Sequence, residues 1–176
     1  MTTSGRRAAR RPRPKRKSRG AARRRPSVTV IAEDRSWRSE TGAVALVRRA
    51  GRAALAMGAR HAVPGVVILL SNDEHLKALN RLFRGRNKPT NVLSFPADAK
   101  NYLGDVVIAH GVAAREAKNE GKQFAAHAAH LAAHGVLHLL GYDHEEPEDA
   151  AIMEALEVRI MAKLGVSDPY RIGEAA

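Results

Sequence analysis

Cysteine is absent from this 176-residue chain. That excludes disulfides and thiolate metal sites and leaves histidine and carboxylate as the side chains able to grip a transition metal. No apolar run approaches the ~20 residues that a membrane-spanning helix needs. No apolar stretch follows the N-terminal arginines, as it would in a secretory signal. Acidic residues are missing altogether between Met1 and Ser27, a stretch that holds twelve of the 30 Lys and Arg. The remaining 18 basic residues balance the 18 acidic ones, so the body of the chain is formally neutral and the tail carries the excess of +12.

That tail also has almost nothing apolar beyond Met1 and four alanines, and is interrupted by Pro12, Pro14 and Pro26. It cannot bury enough surface to offset the entropy of ordering, and residues 1–27 are expected to form a disordered basic arm. Such an arm neutralises phosphates and releases counterions, which gives salt-dependent affinity for polyanions without sequence specificity. An organelle transit peptide would share the arginines, but the prolines interrupt any amphipathic helix.

What is present from Val28 onward is enough, at 44% hydrophobic residues overall, for one domain, expected over residues 28–176. Val28 to Ile31 is a short β-rich run. Thr41 to Met57 places Val47, Ala50, Ala54 and Met57 at helical spacing. Val66 to Leu70 is a continuous apolar run of the kind buried on both faces of a sheet. Ser71 with Glu74 suggests a capping box opening a helix whose Leu76, Leu79 and Phe83 share a face. Val92 to Phe95 reads as a strand ended by Pro96, and Leu103 to Ala109 as another. The chain turns helical from Val112, Gly121 breaks that helix, and an alanine-rich one follows from Gln123 to Leu140. Pro147 suits the first turn of a last helix with Met153, Leu156, Ile160 and Leu164 on one core-facing stripe. The order β-α-β-α-β-β-α-α-α predicts an α+β fold, a small mixed four-stranded sheet packed with about five helices.

The chemistry concentrates near the end of the alanine-rich helix. His134 and His138 stand one turn apart on one face, so two imidazoles can reach one ion. Gly141 can leave the helix with positive φ and swing His144 back toward them. Three neutral imidazoles suit zinc and leave its remaining tetrahedral position open, which implies catalysis rather than a closed structural site. His127 and His130 share the same helix face and are expected to support, pack or face solvent.

Zinc proteases with the motif H-E-x-x-H use its glutamate as general base on the zinc-bound water. Gly135 stands in that glutamate's place, so the ligand spacing is retained and the base is not. The run from His134 to His144, H-G-x-L-H-L-x-G-Y-D-H, resembles instead the signature of the YbeY family of bacterial rRNA-maturation endoribonucleases. Arg84 to Pro96 is similar to that family's R-G-x-x-x-P-T-N-V-L-S-F-P stretch, and Leu103-Gly104-Asp105 to its L-G-D strand. The arm lies outside the resemblance, and the connection from Ala97 to Tyr102 is shorter than in many relatives.

The resemblance implies a cytoplasmic, metal-dependent nuclease that cuts single-stranded RNA. Its implied roles are 16S rRNA 3′-end processing and ribosome quality control, with rRNA and the 30S or 70S ribosome as partners and ribosomal proteins and the Era GTPase as further contacts. His134, His138 and His144 would hold one zinc ion and Arg84 would be needed for activity. Arg86 and Lys88 would guide the RNA backbone. Asn91, Ser94 and Asp105 are expected to cap turns and hold loops. Water activated at the metal, or the RNA's own 2′-hydroxyl, would be the nucleophile. Two other functions stay open on the sequence: a zinc hydrolase of the protease type, and a non-catalytic RNA-binding module in ribosome assembly with structural zinc.

Overall fold

The computed structural model describes residues 27–59 and 65–171. Residues 1–26 of the expected basic arm lie outside the described residues. Ten elements follow one another: β1 (Val28–Ala32), a 3-10 turn (Arg35–Arg38), α1 (Ala43–Gly58), β2 (Gly65–Ser71), α2 (Asp73–Arg84), β3 (Val92–Ala99), β4 (Tyr102–Ala109), α3 (His110–Asn119), α4 (Phe124–Leu139) and α5 (Pro147–Lys163). The sheet order is β1-β2-β4-β3, with β1, β2 and β4 parallel and β3 antiparallel at one edge. This is the α+β, four-stranded mixed sheet with five helices that the pattern of elements predicts.

Side chains alternate across a strand, so one sheet divides the core in two. Val66, Ile68, Leu70, Val106 and Ile108 face the larger cluster, built with α1, α4 and α5. Val107 and Ala109 face the other side, where they meet Leu76 of α2 and Leu93 of β3. The centre of the sheet is therefore covered on both faces, which is why β2 and the Val106–Ile108 part of β4 read as apolar runs.

Local details depart from the sequence expectation in three places. Asn72, not Ser71, caps α2, its side-chain oxygen accepting the His75 N–H at 3.0 Å. Ser71 ends β2 instead and donates to Glu33 at 3.0 Å. β3 does not stop at Pro96 but runs on to Ala99, pairing Pro96 with Gly104. An edge strand tolerates proline because its unpaired side needs no N–H donor. Phe83 does not join Leu76 and Leu79 in the core; it is 62% exposed and leans on Phe95 of β3.

Two features position the site. α4 approaches the sheet closely because residue 135 is glycine: a Cβ there would fall 2.5 Å from Val106 Cγ1 and 3.1 Å from Ser94 Oγ. Ser94 seals the approach by donating to the Gly135 carbonyl at 3.0 Å. α2 and α4 then lie on opposite faces of the sheet, and their C-terminal ends come to the same end of β3. Phe83 of α2 meets Phe95, while Leu139 of α4 lies against Gly104, the pairing partner of Pro96.

Candidate metal centre

α4 ends in a Schellman turn. The Tyr142 N–H donates to the Leu137 carbonyl at 3.1 Å and the Gly141 N–H to that of His138 at 3.0 Å. Gly141 takes φ +88°, the left-handed conformation such a turn requires. The Tyr142 hydroxyl then ties the turn to the end of α1, donating to the Gly58 carbonyl at 3.0 Å. The chain past the turn brings His144 beside the helix. Its ring stacks on His134 at 5.3 Å and meets His138 edge-on at 4.9 Å, while His134 and His138 lie 4.5 Å apart.

One ligand atom from each of His134, His138 and His144 lies within 4.8 Å of the others, a group that could hold a metal ion. Hydrogen bonds select which atoms. His134 Nδ1 bonds Glu157 Oε1 at 2.8 Å and His138 Nδ1 bonds the Tyr142 carbonyl at 3.0 Å. With each Nδ1 donating its proton, the neutral rings carry their lone pairs on Nε2. Those two Nε2 atoms face each other at 3.0 Å. Two acceptors at that distance repel unless a cation lies between them. Two imidazole nitrogens on a tetrahedral zinc stand about 3.3 Å apart, from bond lengths of about 2.0–2.1 Å, so the pair is close to a metal bite. Burial, together with the neighbouring His134 and His144, holds the His138 pKa below its ordinary value and favours the neutral, ligating form.

Glu157 of α5 organises the row behind the ligands. It is fully buried and accepts from His130 at 2.6 Å, from His134 at 2.8 Å and from the Tyr170 hydroxyl. Burial pushes this carboxyl upward, but those hydrogen bonds outweigh it and hold the pKa well below the usual carboxylate range. A carboxylate donated to by a ligand histidine fixes the ring and raises its basicity. Burial and the bond to Glu157 push the Tyr170 phenol far up, so it stays a donor. His130 therefore supports the site through Glu157, and His127 bonds Glu116 at 2.9 Å. Among the described residues the Nδ1 atoms of His127 and His130 have no partner. A cleft of about 420 Å³ runs along this row, with Asn91, Glu116, His130, His134 and Tyr170 among its walls.

Burial pushes Glu116 upward too, but hydrogen bonds from His127 and Asn91 and the charges of His127 and Arg115 hold its pKa below 4.5. A depressed folded pKa contributes stability that is present above the unfolded value and lost as pH falls through the folded one. Acid titration of thermal stability should therefore fall less steeply below about pH 4.5 in Glu116→Gln than in the parent; equal slopes would remove Glu116 from the acid response.

Arg84, Arg86 and Lys88 lie outside the histidine cluster. All three are exposed, Arg84 as the last residue of α2, and none forms a hydrogen bond or ion pair through its side chain among the described residues. The buried Asn80 side chain pins the loop that carries Arg86 and Lys88, its amide donating to the Lys88 carbonyl at 2.8 Å, while its backbone carbonyl accepts the Arg86 N–H at 3.3 Å. Arg84 follows Phe83 at the end of α2, which packs on the opposite face of the sheet from α4. Asn91 and Ser94 hold structure, bonding Glu116 and the Gly135 carbonyl, and Asp105 accepts from Tyr102. Sequence reasoning missed Glu157 and Asn80. Each had a signal: a charged or amide side chain set among apolar residues of an amphipathic helix.

The protease-type arrangement has no room here. A glutamate at position 135 would have to enter Val106 of the sheet rather than reach the ligands. Asp143, Glu145 and Glu146, the other acids near the ligands in sequence, are exposed, and Asp143 accepts the His144 N–H at 2.8 Å.

A family model described as endoribonuclease YbeY matches residues 33–165. A protein of Rhodopseudomonas palustris (strain HaA2) named endoribonuclease YbeY is 46% identical over 159 residues, the match covering 82% of each chain. One of the same name from Maricaulis maris (strain MCS10) is 48% identical over 147 residues, covering 82% of this chain and 91% of that one. The solution structure of TM1509 from Thermotoga maritima is similar in fold, with a TM-score of 0.50 at 21% identity, covering 82% of this chain and 99% of that one. With most of its length matched by the family model and by these relatives, the chain belongs to the YbeY family.

Proposed function

We propose that this chain is a zinc-dependent, single-strand-specific endoribonuclease of the cytoplasm, with residues 28–176 as its nuclease domain and residues 1–27 as a basic arm. Its substrate in this proposal is 16S rRNA near the 3′ end, in maturation and quality control of the 30S and 70S ribosome, with ribosomal proteins and the Era GTPase as contacts. The observation that carries it is the convergence of His134, His138 and His144 with the Nε2 atoms of the first two turned toward one point. The name carried by the curated relatives supports the substrate class.

Phosphodiester cleavage builds negative charge on the oxygens around phosphorus. A bound zinc ion supplies Lewis acidity there and a nucleophile at neutral pH. The chain's own residues do the rest. Glu157 and the Tyr142 carbonyl hold the two helix histidines in the ligating tautomer. Arg84 offers a planar, permanently charged guanidinium for the phosphoryl oxygens. Arg86 and Lys88 attract the RNA backbone, and the arm adds affinity that salt weakens.

The test is cleavage of a single-stranded rRNA 3′-end precursor by the metal-loaded protein. Arg84→Ala should lose about a hundredfold or more in kcat, the scale of one lost charge-stabilising donor, while keeping its metal. A chelator should abolish cutting. If both treatments leave cleavage intact, the activity belongs to another site or a contaminant. Product ends separate the two nucleophiles: a 2′,3′-cyclic phosphate identifies attack by the 2′-hydroxyl.

A further inference from the structure

Two large apolar side chains at the end of α2, Leu82 and Phe83, are 74% and 62% exposed, although helical spacing would let Phe83 share the buried face of Leu76. The ring is not loose. It meets Phe95 of β3 at 5.0 Å with the planes inclined at 63°. Phe95 thus supports one part of the ring, and most of its surface stays open to solvent. The surrounding chain is basic throughout: from Lys77 to Lys88 there are Lys77, Arg81, Arg84, Arg86 and Lys88 and no acid. Lys77, Arg81 and Leu82 border a shallow depression of about 710 Å³ beside Asn87, with Glu74 as the one acid on its wall. Asn80, 2% exposed, fixes the loop that follows, so the cations are carried on a held backbone.

A supported, open aromatic ring among cations is the arrangement by which proteins bind single-stranded nucleic acid. Bases stack on the ring while Lys and Arg follow the phosphates. An apolar protein partner would gain from Leu82 and Phe83 but would have to bring acids for five cations. A polyanion with flat apolar faces matches both features at once. The position fits as well, because the end of α2 and the end of α4 meet the same end of β3.

We propose that Phe83, backed by Phe95, is a stacking platform for one nucleobase of the single-stranded RNA, with Arg86 and Lys88, on the loop that Asn80 holds, as cations for its phosphates. This rests on the endoribonuclease reading and names the residue that positions the substrate strand. It is a binding role, since the ring takes no part in moving charge or protons.

Binding of a short fluorescent single-stranded oligoribonucleotide to the full-length, metal-loaded protein tests it. Phe83→Leu keeps an apolar contact to Phe95 but has no π face, and should bind roughly fivefold to a hundredfold more weakly. Phe83→Tyr should bind as the parent does. In Phe83→Trp the new indole should be quenched on adding RNA, against the background of Trp37, which is fully buried. Should Phe83→Leu melt early, the Trp variant decides alone. Unchanged affinity in Phe83→Leu, or an unquenched indole in a Phe83→Trp protein that still binds RNA, overturns the platform and leaves the exposed ring to a protein partner. If the parent itself neither binds nor cuts RNA, the endoribonuclease reading fails first and takes the platform with it.

Discussion

His138→Ala is expected to empty the metal centre and to reduce RNA cleavage by at least about a hundredfold, because several kcal/mol of charge stabilisation leave with the ion. The ring has two fixed ends. Nδ1 is bound to the Tyr142 carbonyl and Nε2 faces His134, so alanine deletes a ligand already aimed. Metal content by mass spectrometry should fall from one equivalent toward none. His127→Ala should keep its metal, since that ring spends Nε2 on Glu116. Full metal occupancy in His138→Ala would place the ion elsewhere in the protein.

The second large effect is expected at Glu157. Gln offers one acceptor oxygen where Glu offers two, so Glu157→Gln should bind zinc about 10- to 100-fold more weakly, the usual cost of losing a partner behind a histidine ligand. Glu157→Ala should also destabilise the metal-free protein by about 3 kcal/mol, because it strands donors on His130, His134 and Tyr170 that have lost their acceptor. Metal titration and chemical denaturation separate the two effects. Parent-like affinity in Glu157→Gln would show that the His134 ring is oriented by packing alone.

Much of the fold was legible because elements state their own burial: β2 as an unbroken apolar run, α5 as a stripe of Met153, Leu156 and Ile160. The ligand trio was legible because it is local, two residues on one turn of helix and a third just past a glycine. What could not be read was long-range. Glu157 lies on another helix, 23 residues from His134, and only packing of α5 against α4 makes the two neighbours. Ser71 and Asn72 are both good caps, and the choice depends on where β2 ends. Pro96 reads as a strand terminator until the topology shows that β3 has a free side. Phe83 looks like core by spacing alone, and it is the end of the sheet that leaves it outside.

The three imidazoles are held very unequally. Two ride on a sixteen-residue helix packed against the sheet, and the third is exposed, beyond the Gly141 turn. An ion held here would therefore meet two rings fixed on the helix and a third whose position rests on the turn. The Tyr142 hydroxyl on the Gly58 carbonyl ties that turn to α1, so the place of the third imidazole is anchored from a different helix than the other two.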